Sequence, residues 1–114
     1  MHEFSLTVEI AEQVSKAAAA GGMARVHLVR LRIGGLSGVS EEAMKSCWQC
    51  TSDDALLGGS QLEIETVPVT LHCKQCRQIV LPEPSWVLEC PQCGSPSDDL
   101  RSGRELELVS VEGT

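Results

Sequence analysis

Apolar side chains recur at helical spacing from Glu3 to Ala20, where Leu6, Ile10, Val14 and Ala17 share one face and Glu9, Glu12, Gln13 and Lys16 the other. The pattern predicts an amphipathic helix that starts almost at the first residue and ends in AAAAGG, with Gly21 as the residue beyond the cap. Over Arg25–Ile33 the period shortens to two: Val29, Leu31 and Ile33 fall opposite Arg30 and Arg32, which predicts a first strand. His27 shares the apolar parity and is read as a packed or rim residue. After the loop IGGLSGVS, Ser40 is a suitable N-cap for a second helix, with Glu41 and Glu42 at its positive end. Met44, Cys47, Trp48 and Thr51 make its apolar stripe.

Beyond the turn-rich LLGGS, Leu62 and Ile64 alternate with Glu63 and Glu65, and the parity then flips to Val67, Val69 and Leu71. A two-residue period cannot flip without a bulge or bend, and Pro68 sits where one is expected. The strand therefore leaves the first sheet and runs into a separate module. SPSDDLRSG reads as a hydrophilic linker. RELELVSVE, with Leu106 and Leu108 alternating with Glu105 and Glu107, reads as a last strand over 104–111. That strand has no partners inside the module, so it returns to the strands near 25–33 and 61–67. The expected fold is α+β: two helices packed on a small three-stranded sheet, residues 1–70 plus 102–114, with a module at 71–101 inserted before the last strand.

Composition narrows the partners. The 114 residues suit one compact domain, or one small domain plus a metal-stapled module too short for a core of its own. A net charge of −7 disfavours a nucleic-acid or anionic-membrane surface, because phosphate binding rests on clustered Lys and Arg. Residues 71–99 are themselves acidic, setting Lys74 and Arg77 against Glu83, Glu89, Asp98 and Asp99, with Trp86 the one aromatic side chain there. The start MHEFSLTVEIAEQ lacks the basic then apolar run of a signal peptide, and no apolar stretch approaches the ~20 residues of a membrane span. A soluble, cytoplasmic protein is expected.

The chain has six cysteines in three Cys-x-x-Cys pairs. CKQC (Cys73, Cys76) and CPQC (Cys90, Cys93) are separated by thirteen residues, close to zinc-ribbon spacing, and each supplies two thiolates from one tight turn. Pro91 between the second pair and Gly94 after it, where the chain must turn back with positive φ, are marks of a zinc knuckle. Two disulfides or a redox dithiol are the competing readings; two matched pairs without an export signal favour Zn(II). The third pair, Cys47 and Cys50, lacks the Gly or Pro turn and reads as helix packing, with a dithiol oxidoreductase the weaker alternative. His72 directly precedes Cys73, but an adjacent ligand strains a knuckle whose four thiols already fill a tetrahedron. The chain shows no Ser/His/Asp grouping, phosphate-binding glycine loop or open catalytic metal site, so an enzyme is not expected.

Met1-His2-Glu3 ahead of a helix, LRIGGLSGVS before a second helix, LEIETVPV leading into CKQC, and CPQCG followed by ELELVSVE occur in this order over nearly the whole chain. In that order they resemble the HypA/HybF family of hydrogenase maturation factors, the nickel-incorporation metallochaperones. The resemblance implies a carrier that collects Ni(II) at Met1, His2 and Glu3 and passes it, with a maturation GTPase, to the large-subunit precursor of a [NiFe] hydrogenase. Some such proteins also serve urease maturation. It implies structural Zn(II) on Cys73, Cys76, Cys90 and Cys93, and leaves open whether the carrier is a monomer or a homodimer. Some members add an acidic contact at the start of the second helix, where this chain has Ser40 followed by Glu41. Apolar residues usually stand where this chain has Cys47 and Cys50.

The chemistry of the terminus agrees. A free α-amine, the deprotonated His2 amide and the His2 imidazole form a planar nitrogen array with Glu3 near to add oxygen, and tetragonal N,O donors suit Ni(II) or Cu(II) over Zn(II). The bulky second residue should leave Met1 in place. Copper would win on intrinsic affinity, so selectivity falls to availability and partners. An alternative of another class is a zinc-ribbon adaptor that binds a protein partner and makes no use of the terminus.

Overall fold

The computed structural model describes residues 2–114. In chain order the elements are α1 (His2–Ala20), β1 (Val26–Gly34), α2 (Glu41–Thr51), β2 (Gln61–Val67), β3 (Thr70–Cys73), β4 (Gln78–Val80), β5 (Leu100–Ser102) and β6 (Leu106–Gly113). They form two three-stranded sheets, ordered β2-β1-β6 and β4-β3-β5. The expected α+β class, with the last strand returned to the first sheet, is what the chain adopts. Two compact units result: one of residues up to Leu31 with Val39–Glu65 and Glu107–Thr114, the other of Arg32–Gly38 with Thr66–Leu106. Among the described residues no helix is long and apolar enough to cross a membrane.

In the first unit α1 packs against α2. The buried stripe of α1 is Thr7, Ile10, Val14 and Ala18. It differs from the expected face at both ends, because Leu6 is only half-buried and Ala17 is exposed. A threonine can sit in this stripe because its hydroxyl donates to the Phe4 carbonyl at 2.8 Å, leaving its methyl to pack. The helix also runs one residue further than its composition suggests. Gly22, not Gly21, is left-handed at φ 69°, while the Gly22 amide donates to Ala19 O at 3.1 Å and the Met23 amide to Ala18 O at 2.9 Å. That pair of bonds is a Schellman ending with Gly22 as the residue past the cap.

Ser40 caps α2 as expected, its Oγ accepting from the Ala43 amide at 3.2 Å. Met44 and Trp48 are its buried residues. The Trp48 indole N–H donates to Ser60 Oγ at 3.0 Å, so the largest side chain of the core carries no unpaired polar group. On the sheet, Arg30 of β1 reaches Glu63 of β2 at 2.9 Å and Glu112 of β6 at 3.2 Å, tying all three strands at a half-exposed position where each pair adds little stability. His27 is exposed, with Nε2 3.2 Å from Thr114 Oγ1. The alternation expected for β6 does not translate into burial. Leu106 and Val109, on opposite faces of the strand, remain about half exposed.

β2 ends at Val67 and β3 begins at Thr70 in the other sheet, so the break falls at Pro68 and Val69, where the parity flips. β3 pairs antiparallel with β4 in the register Leu71↔Val80, His72↔Ile79, Cys73↔Gln78. On its other side it pairs with β5 through Thr70↔Ser102 and Leu71↔Leu100, with an irregularity between Thr70 and Leu71. Residues 100–102, expected to be linker, are thus a strand. The signal was hidden by the polar neighbours of a three-residue element. Residues 34–36 join this unit through the backbone, with Gly34 N donating to Glu105 O and Leu36 N to Gly103 O, each at 2.8 Å.

The two glycines that follow α1 make opposite demands on alanine. A Cβ on Gly21 would meet only ordinary contacts from 3.5 Å outward, whereas Gly22 is left-handed. We expect Gly21→Ala to leave stability unchanged or raise it by up to ~1 kcal/mol, and Gly22→Ala to lower it by ~1–2 kcal/mol. Urea unfolding of the two variants checks this, and the reverse ranking would place the cap at Gly21.

Candidate metal centre

Cys73 closes β3, Cys76 follows one turn later, and Cys90 and Cys93 lie on a turn after the loop that carries Trp86. Both pairs close in the same way. The Arg77 amide donates to Cys73 O at 2.7 Å and the Gly94 amide to Cys90 O at 2.8 Å. The residue after each pair is left-handed, Arg77 at φ 55° and Gly94 at φ 75°. Gly94 was foreseeable from its residue type. Arg77 was not, since nothing about an arginine announces positive φ. In the first knuckle the Cys76 amide also points at Cys73 Sγ, 3.4 Å away.

The four Sγ atoms all lie within 4.8 Å of one another. Cys73 and Cys93 are separated by 3.5 Å, and Cys76 and Cys90 by 3.9 Å. Four sulfurs ~2.3 Å from one tetrahedral ion stand ~3.8 Å apart, so these thiols already have the spacing of a four-thiolate zinc site. All six cysteines of the chain are free thiols. Cys73 and Cys90 are buried among Leu71 and Val80, with Cys76, Leu88 and Leu100 packed against them. Cys93 is exposed. A site of this kind has two sulfurs in the small core and one at the surface.

Without an ion the four thiols cannot all ionise together. Hydrogen bonds from the side chain and backbone of Ser95, then one from Cys73, pull the Cys93 thiol down to about 6. Its bond to Cys93, followed by burial, pushes the Cys76 thiol up to about 12. Ser95 is a residue the spacing argument overlooked, since a serine after CG reads as an ordinary turn residue.

His72 stands outside the quartet. Its Nδ1 lies 3.6 Å from Asp99 Oδ2, its carbonyl accepts from Ser97 Oγ at 2.7 Å, and its amide donates to Asp99 O at 2.9 Å. Asp99 in turn takes a bidentate pair from Arg101 at 2.8 and 2.9 Å, which holds its carboxyl below the usual range. Cys47 is half-buried in α2, in keeping with packing. Cys50 is exposed, which the packing expectation does not describe. Helical spacing explains the difference: Cys50 lies off the face that carries Met44 and Trp48. Among the described residues neither thiol joins a cluster able to hold a metal.

At the other end of the chain, Met1 lies outside the described residues. His2 is exposed and Glu3 half-buried in the first turn of α1. Glu3 Oε2 accepts from the Ser40 amide at 3.2 Å. That bond, and one from its own backbone, hold the Glu3 carboxyl below its ordinary value. Glu41 is 4.0 Å from Lys45 on the surface of α2.

Fold and site together define a small α+β protein with an inserted ribbon built on four converging thiols. A family model described as "Hydrogenase/urease nickel incorporation, metallochaperone, hypA" matches residues 1–113. The hydrogenase maturation factors HypA of Roseiflexus sp. and Chloroflexus aggregans are each 40% identical over 113 residues, covering 98% of this chain and 91% and 98% of theirs. The chain belongs to the HypA family, whose members are metallochaperones and not enzymes. The fold is also that of the solution structure of the Ni metallochaperone HypA from Helicobacter pylori, at TM-score 0.67 and 21% identity over 97% of this chain and 96% of that one. A second solution structure of a HypA protein gives TM-score 0.69 at 23% identity over 100% and 97%.

In metal-free, reduced protein near pH 7 we expect iodoacetamide to label Cys93 first and Cys76 last. Because the Cys93 value is depressed, its thiolate persists above about 6 and its labelling falls as pH drops through that value. Peptide mass spectrometry reads both, and equal rates at Cys76 and Cys93 would contradict the assignment. Separately, Arg77→Gly removes a left-handed non-glycine residue and should raise stability by ~1 kcal/mol in urea unfolding. A loss of stability would show that Arg77 carries a contact outweighing its strain.

Proposed function

We propose that this chain is a nickel carrier for [NiFe] hydrogenase maturation, taking Ni(II) at Met1, His2 and Glu3 and holding Zn(II) at Cys73, Cys76, Cys90 and Cys93. In this reading the unit that carries both helices is the nickel-binding part and the unit that carries the four cysteines is the ribbon. The carrier works in the cytoplasm. It delivers the cargo to the hydrogenase large-subunit precursor with a maturation GTPase, and in organisms that have urease it serves that enzyme's maturation proteins as well.

The observation that carries this reading is the pairing of two metal environments of opposite character within one family member. Four thiolates at zinc spacing fill a tetrahedron and leave no position for exchange, which suits a structural ion. The start of α1 offers an exposed imidazole and a carboxylate already drawn toward the charged form. With a free amine and a deprotonated amide in a chain that begins at Met1, these are nitrogen and oxygen donors of the kind Ni(II) favours. A site of few protein donors in solvent also loses its ion readily when amine and imidazole are protonated, as delivery requires. The ribbon's acidic surface and lack of stacked aromatics support a protein partner over nucleic acid.

Calorimetric nickel titration of untagged protein separates the two sites. His2→Ala should weaken nickel binding by more than the roughly 10–100-fold that loss of an outer-shell partner costs, with zinc content unchanged. A single glycine placed before Met1 should do the same by moving the amine away from His2. Wild-type nickel affinity in both proteins would leave the adaptor reading in its place.

A further inference from the structure

The start of α2 is capped on one side only by its own residues. In the reciprocal capping box, the N-cap hydroxyl bonds the amide three residues on, and a Glu or Gln at that third position returns to bond the N-cap amide. Here Ser40 Oγ takes the Ala43 amide, but Ala43 has no side chain that can return the bond. The Ser40 amide is instead met by Glu3 Oε2 at 3.2 Å, from a different helix. Glu3 thus supplies in trans the carboxylate that α2 lacks in its own sequence. It also places negative charge at the positive end of α2, beside Glu41 and Glu42.

We propose that the Ser40 backbone amide positions the nickel terminus, by fixing the Glu3 carboxylate, and with it the first turn of α1 that bears His2, against the start of α2. The inference rests on the nickel reading above and adds to it a residue that touches no metal. A carboxylate at the end of a free helix has several rotamers, and one held by a directional hydrogen bond has fewer, so less ordering remains for an ion to impose. The same logic makes outer-shell partners of metal ligands worth roughly 10–100-fold in affinity. Since this bond lies near the surface, its effect belongs at the lower end of that range.

Proline at 40 removes the amide donor at a position whose φ of −83° lies near the proline range, while alanine at 40 keeps the amide and removes only the Oγ cap. Three proteins, Ser40→Ala, Ser40→Pro and Glu3→Ala, are therefore titrated with nickel chloride beside the double variant Glu3→Ala/Ser40→Pro, all zinc-loaded. Ser40→Pro is expected to bind nickel about tenfold more weakly than Ser40→Ala, and the double variant no more weakly than the worse single variant. Equal affinities of Ser40→Pro and Ser40→Ala, or fully additive losses in the double variant, would overturn the proposal. Hydrogen exchange of the Ser40 amide in metal-free wild type and Glu3→Ala tests the tie without relying on the proline variant's fold. Faster exchange in Glu3→Ala supports it, and unchanged exchange overturns it. Failure of the nickel reading itself is recognised separately, by His2→Ala binding nickel as wild type does.

Discussion

The second unit contains little apolar material, so an ion held by its thiols would add a large share of its stability. Its strands β3, β4 and β5 are four, three and three residues long, and the buried cluster between them consists of Leu71 and Val80 with two cysteine sulfurs, edged by Cys76, Leu88 and Leu100. Segments of this size gain much of their stability from a staple. The sequence supplies four thiols, and the backbone delivers them at the spacing of one tetrahedral ion through two knuckles that end alike in a left-handed residue. The cost of that symmetry is visible at Arg77, which takes a conformation that its counterpart Gly94 adopts freely. An ion bound by four sulfurs in a partly buried site exchanges slowly and completes the fold, which argues against the same site serving as the cargo position.

The first unit has the opposite economy. Trp48, Met44, Val14, Val26, Val29 and Leu31 are fully or almost fully buried, so its two helices are held by ordinary packing and no metal is needed to form it. A unit packed in this way can carry a helix start at its surface. The trans cap from Glu3 to the Ser40 amide is the local expression of that arrangement: the helix end that exposes His2 is also tied to its neighbour. On the proposed reading, a permanent ion shapes one unit and a transient ion visits the other.

Much of this was legible in residue order. The two helices, the Ser40 cap, the break at Pro68, the return of the last strand and the cysteine quartet all rest on strong local signals: period, cap chemistry, parity and spacing. What stayed hidden depends on tertiary surroundings. Thr7 is buried because its hydroxyl finds a carbonyl within its own helix, and hydropathy does not register that. Gly21 and Gly22 look alike in sequence, and only the hydrogen bonds of the helix end distinguish them. Leu106 looks like a core residue in its alternation and is about half exposed in the fold. Leu100–Ser102 is a strand because β3 offers it a partner, and the Glu3 to Ser40 bond joins residues 37 positions apart with no pattern to link them.

The central claim, that the cargo site is the amino terminus and the quartet is structural, is most directly tested by acetylating the α-amine and weighing the metal-loaded protein by native mass spectrometry. Acetylation removes the charge and donor capacity of that one nitrogen and leaves every side chain intact. Unmodified protein offered both metals should carry one zinc and one nickel, and the acetylated form one zinc alone. Nickel retained at equal occupancy on the acetylated chain would contradict the account.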